Sequence, residues 1–181
     1  MRRVLRAKQK ARELLSRYPT KGTWVNVFSL ANQLPEVAAV QSMALDDDIS
    51  GALLPVSEGK WLILVNKDHP LTRQRFSVAH ELGHLFLHQY RVPHADRTLK
   101  LRDAQSSQGS AFEEIEANQF AAELLMPRDL VLRALDGQVI EYEPDTSSDA
   151  SSFKNLVKDL ARRFRVSEQA MTIRLSSLFA G

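Results

Sequence analysis

Near the start of the chain, Val4, Leu5, Ala7, Ala11, Leu14, Leu15 and Tyr18 recur at helical spacing with Arg and Lys between them. This predicts an amphipathic helix whose apolar stripe packs on the body of the protein. The stretch lacks the apolar run of roughly 7–15 residues that a secretory signal requires, so it is read as part of the fold. A short helix is expected over residues 26–34, stopped by Pro35. Two strand-like runs follow, GALLPV (51–56) and KWLILVN (60–66), with Ser57, Glu58 and Gly59 as the turn. Pro55 cannot donate a ladder bond, so the first run should be an edge or end early. The second is nearly continuous in apolar residues and should be buried on both faces.

Helical periodicity resumes over 72–88 and, after a polar loop around 105–110, over 112–126. Pro127 closes that helix and opens another, which carries Leu130, Val131, Ala134 and Leu135 on one face. Residues 143–152, EPDTSSDASS, read as an acidic linker. Residues 153–178 read as two short helices around a turn at Val166 and Ser167, with Ser167 as N-cap. The expected organisation is a main unit over 1–142, a linker over 143–152 and a helical tail over 153–181.

Composition narrows the chemistry more than the fold. The 181 residues include no cysteine, which excludes disulfides, thiolate metal ligands and a cysteine nucleophile. At 44% hydrophobic and 25% charged, the chain is an ordinary globular sequence. No apolar run approaches the roughly 20 residues of a membrane-spanning helix, so no membrane partner is expected. The net charge of +2 is unevenly spread, with +7 in residues 1–21, −9 in 22–152 and +4 in 153–181. Basic ends on an acidic body either dock on that body or form a surface for nucleic acid or an acidic partner.

Inside the 72–88 helix stands His80-Glu81-Leu82-Gly83-His84, an HExxH motif. Residues four apart lie one turn above each other, so both imidazoles can reach one tetrahedral ion. Glu81 then stands where its carboxylate can take a proton from water activated by that ion. The helix around the motif is apolar on most sides, and buried histidines and a glutamate need partners that a metal supplies. Leu87 and Tyr90 occupy the places where a metzincin needs Gly and His. With cysteine absent, the third ligand should be a carboxylate of the 112–126 helix, which carries Glu113, Glu114, Glu116 and Glu123. At about 100° per residue, Glu113 and Glu114 lie roughly 50° to either side of the apolar face centred on Ala117, while Glu116 lies about 110° away and Glu123 further still. Periodicity leaves Glu113 and Glu114 both open, disfavours Glu116, and offers Asn118 as a support for the carboxylate or for a ligand histidine.

The runs RQRFSVAHELGHLFLH (73–88) and EIEANQFAAELLMP (114–127) together resemble the ImmA/IrrE family of metallopeptidases. Weaker matches are the N-terminal helix, ISGALL, ILVN and the tail LARRFRVSEQAMTIRLSSL. The resemblance implies an α+β fold. Its zincin-like, gluzincin-type core would have a small antiparallel or mixed sheet packed on the HExxH helix and a glutamate-bearing helix, followed by a helix-turn-helix-like tail. It implies His80, His84 and Glu114 as metal ligands and Glu81 as general base. Zn2+ is the expected cofactor, and Mn2+ or Fe2+ suits the same ligands. It further implies a cytoplasmic bacterial or phage enzyme that cleaves a helix-turn-helix repressor or antitoxin encoded nearby, in stress responses or toxin–antitoxin-like pairs. Two other functions compete: a metal-containing module that inactivates its partner without hydrolysis, and a DNA-binding regulator presenting Arg162, Arg163, Arg165 and Arg174 to phosphates. For an active peptidase, His69, His88, Tyr90, His94 and Tyr142 are candidate oxyanion donors. Strand addition at 51–56 or 61–66 could orient a substrate.

Overall fold

The computed structural model describes residues 2–20, 22–88, 94–97, 107–136 and 148–179. Helix α1 (Arg2–Arg17) buries Ala7, Ala11 and Leu14, while Leu5 at the predicted edge of the stripe is exposed. Helix α2 (Val27–Ala31) begins at Asn26, whose side chain accepts from the Ser29 N–H, and ends before Asn32, earlier than the sequence pattern suggested. Strand β1 (Val37–Met43) was not expected, because its exposed second half, Gln41-Ser42-Met43, carries no strand alternation. Strands β2 (Ile49–Ser57) and β3 (Lys60–Asn66) form the anticipated hairpin. The short β4 (His94–Arg97) completes a mixed four-stranded sheet in the order β1-β3-β2-β4.

Only β1 and β3 run parallel; β2 is antiparallel to both of its neighbours. β3 lies between β1 and β2, so the second predicted run has no free edge, and β4 covers β2 only from Ile49 to Leu53. β2 continues to Ser57, and Pro55 stands beyond the stretch that β4 pairs, on the open edge that a proline requires. β3 is buried from Ile63 to Asn66, and the Asn66 side chain donates to the carbonyls of Leu45, Asp46 and Ile49, fixing the turn that leads into β2.

Helix α3 (Leu71–Leu87) packs across the sheet and along α4 (Ser107–Leu125). α4 starts five residues before the predicted Phe112, taking in part of the expected polar loop. Helix α5 (Arg128–Leu135) has Pro127 as its N-cap. Helix α6 (Ser148–Phe164) begins inside the segment read as a linker, of which residues 143–147 lie outside the described residues. Helix α7 (Glu168–Phe179) follows a turn in which Arg165 adopts φ 54° and Ser167 Oγ accepts from the Ala170 N–H. Val157, Leu160, Phe164, Met171 and Leu175 of these last two helices belong to the same buried cluster as Val78, Leu82, Phe120 and Leu124. No helix among the described residues is long and apolar enough to cross a membrane.

Two buried arginines hold the tail in place. Arg75 of α3 donates to the carbonyls of Arg165 and Val25 at 3.0 Å each. Burial and then the nearby Arg165 charge lower its pKa to about 10, so it remains a cation at neutral pH. Arg174 of α7 donates to the Met126 carbonyl and pairs with Glu123 of α4 at 2.6 Å. Of the four arginines considered as phosphate donors, Arg174 is buried at 2% exposure, and Arg165 lies 3.8 Å over the Trp24 ring. Arg162 and Arg163 pair with Asp159 at the surface and remain accessible, with side chains 84% and 44% exposed.

Candidate metal centre

Both histidines of the motif are buried on α3, His80 at 3% exposure and His84 at 0%. Their Nε2 atoms stand 2.9 Å apart, as i,i+4 spacing requires when two rings converge on one point. The carboxylate that meets them is that of Glu114 on α4, with Oε2 3.3 Å from His80 Nε2 and Oε1 3.5 Å from His84 Nε2. Of the two glutamates that periodicity left open, Glu114 is the one placed in this group, and Glu113 is not. α3 and α4 approach closely enough for this because Gly83 faces Ala117. A Cβ on Gly83 would stand 2.9 Å from Ala117 Cα, too close for the helices to keep their spacing.

The donor set fits a divalent cation. Asn118 Oδ1 lies 3.0 Å from His80 Nδ1, which makes Nδ1 the N–H donor and turns the Nε2 lone pair inward. The inward group is thus two imidazole nitrogens and a carboxylate, all acceptors, in a largely buried place. A cation at their centre satisfies all three together. Tetrahedral zinc with ligand bonds of about 2.0–2.2 Å needs ligand atoms roughly 3.3–3.5 Å apart. The separations of 2.9, 3.3 and 3.5 Å are close to that spacing. Three protein ligands also leave the fourth position open, as catalytic rather than structural sites do.

Glu81 is fully buried between α3 and the sheet. A Cβ on Gly51 of β2 would stand 3.0 Å from Glu81 Oε1 and 3.2 Å from the Leu64 carbonyl, so the glycine opens the space this carboxylate occupies. β2 is tied to α3 there by the Arg73 guanidinium, which donates to Ser50 Oγ at 2.8 Å. No signal in the sequence singled out Gly51, since what it makes room for is 30 residues further on.

The remaining candidates fall elsewhere. His69 precedes the first turn of α3, and nine helical steps of about 1.5 Å each separate Leu71 from His80, so it is too distant to serve there. His88 ends α3; its Nδ1 lies 3.1 Å from His84 Nδ1 and its Nε2 3.3 Å from Glu116 Oε2. Tyr90 and Tyr142 lie outside the described residues, as does the side chain of His94. Glu116 and Glu123 point away from the Ala117 face, and neither joins the group, in keeping with their periodicity. They are nonetheless 5% and 1% exposed, because α4 is enclosed by α1, α3 and α7. A cavity of 620 Å³ between the end of α1 and α2, lined by Arg17, Tyr18, Trp24 and Asn26 among others, shares no residue with the centre.

The peptidase M78 family model, described as an IrrE N-terminal-like domain, matches residues 40–176. No curated protein sequence matches. Among solved structures, a Mycobacterium tuberculosis transcriptional regulator is similar, with a TM-score of 0.57 and 15% sequence identity, over 94% of this chain and 46% of that one. The chain spans just under half the length of that structure, and the likeness is one of fold.

Proposed function

The chain belongs to the IrrE N-terminal-like family of M78 peptidase domains, and from that premise we propose that it is a zinc-dependent endopeptidase acting on one protein partner. The observation that carries this reading is the convergence of His80, His84 and Glu114 beside a buried Glu81. A bound Zn2+ would supply Lewis acidity, polarising a carbonyl and bringing the pKa of a coordinated water towards about 7. Glu81 accepts a proton from water in the site and returns it to the leaving amine. Its carboxylate lies against Gly51, whose missing side chain leaves it room. Asn118 keeps the His80 ring turned with Nε2 inward. β4 is the outer strand on this side of the sheet, and an extended substrate would add along it.

The partner we propose is a helix-turn-helix repressor or antitoxin in the cytoplasm. The regulator of similar fold is the reason to seek the substrate among transcription factors. The test is to incubate the chain with candidate helix-turn-helix proteins, starting with any encoded beside it, and follow them by mass spectrometry. Wild-type protein should yield two fragments. Glu81→Gln should retain its zinc, measured by elemental analysis, and yield none. Fragments from the Glu81→Gln protein would remove Glu81 from the mechanism. An intact partner held in a stable complex by the wild type would favour inactivation without hydrolysis.

A further inference from the structure

His84 and His80 are held by different means. His80 leans on a neutral amide, Asn118. His84 leans on another imidazole: its Nδ1 lies 3.1 Å from Nδ1 of His88, and His88 Nε2 lies 3.3 Å from the Glu116 carboxylate. His88 and Glu116 are nearly buried, with side chains 8% and 7% exposed. The three residues join the last turn of α3 to α4 two residues after Glu114.

Proton bookkeeping along this chain has one solution if His84 offers Nε2 to a cation. A neutral imidazole has one N–H and one lone pair. With the Nε2 lone pair directed inward, the His84 proton is on Nδ1, which donates to His88 Nδ1. His88 then carries its own proton on Nε2 and donates it to Glu116. Every nitrogen has a use, and the chain ends on a negative charge that makes His84 the more electron-rich ligand.

We propose that His88 and Glu116 are positioning residues of the metal centre: a hydrogen-bonded chain, Glu116–His88–His84, fixes the tautomer and rotation of His84 and raises its affinity for zinc. This rests on the reading of His80, His84 and Glu114 as ligands. Because Glu116 and Glu114 share one turn of α4, the same chain holds the third ligand in register with α3.

The test measures zinc affinity of the full chain by competition with a chromophoric chelator, alongside the visible spectrum of the Co2+-loaded protein and the melting temperature of the metal-free protein. His88→Ala should weaken zinc binding about 10–100-fold and alter the cobalt spectrum, without a matching loss of metal-free stability. Glu116→Gln should weaken it less. The double variant should bind no more weakly than His88→Ala, because Glu116 acts only through His88. His88→Asn should recover most of the affinity, its carbonyl accepting from His84 Nδ1 as Asn118 does from His80. Unchanged affinity in His88→Ala, or losses that multiply in the double variant, would overturn the proposal. Should His88→Ala fail to fold, Glu116→Gln and His88→Asn decide by the same measurement. A wild-type chain that binds neither zinc nor cobalt would instead bring down the metal reading, and this inference with it.

Discussion

Gly51 shows how closely the site is built. Its missing side chain leaves room for the Glu81 carboxylate, and a methyl group there would meet both that carboxylate and the Leu64 backbone carbonyl. The backbone carbonyl belongs to the central strand and cannot retreat, so the side chain must. Gly51→Ala should therefore displace Glu81 while leaving His80, His84 and Glu114 in place. Cleavage should fall by roughly 10²-fold, the scale associated with a displacement of about 1 Å at a reacting group. Bound zinc, measured on the same samples, should remain stoichiometric; joint loss of metal and activity would mean that the strand itself had moved. The HExxH motif was legible without structure because its chemistry lies within one helical turn. Gly51 and the Glu116–His88 pair were not, because each acts on a residue brought to it by another element.

At the scale of elements, Glu123 is the point where three helices meet. Arg12 of α1 donates to its Oε1 at 2.8 Å, and Arg174 of α7 pairs with its Oε2 at 2.6 Å. The two pairs differ in kind. Arg174 is 2% exposed and Arg12 55% in their side chains. Glu123→Gln would leave Arg174 buried beside a neutral amide and should destabilise the fold by about 3–5 kcal/mol, whereas Arg12→Ala should cost at most about 1 kcal/mol. Burial alone would raise the Glu123 pKa, but the Arg12 hydrogen bond and the Arg174 charge outweigh it and hold it below the ordinary 4.5. A lowered carboxylate pKa contributes stability that is present above 4.5 and lost as pH falls through the folded value. Urea titrations at pH 7 and in this acid range should show the wild type losing more stability than Glu123→Gln; equal losses would assign acid sensitivity to other groups. Sequence periodicity missed this role because it presumes one inward face per helix, and α4 is enclosed on several.

For the whole molecule, the His80–His84–Glu114 cluster joins α3 to α4, and a metal held there would cross-link the two helices. A ligand that binds only the folded state stabilises it by about 4 kcal/mol at free concentrations near a thousand times Kd. For a chain of this size that corresponds to roughly 8–16 °C in melting temperature. Chelation should lower the melting temperature by that amount, and zinc should restore it in wild type but not in His80→Ala; an unchanged melting curve would show that no metal links the helices. The charge asymmetry also finds a physical explanation here. One arginine from each basic end of the chain converges on an acidic residue of the middle, so at least this part of the asymmetry is docking rather than a surface for nucleic acid. The sequence by itself determined the helices bearing the site, the β2–β3 hairpin, the two histidines and the carboxylate that joins them in the cluster as a class, all of which follow from periodicity, composition or short spacing along one element. Only the tertiary structure decided which glutamate meets the histidines, which strand lies at the outer edge, and which charged residues are buried. Those outcomes depend on rotations and distances between elements far apart in the chain, which no local pattern encodes.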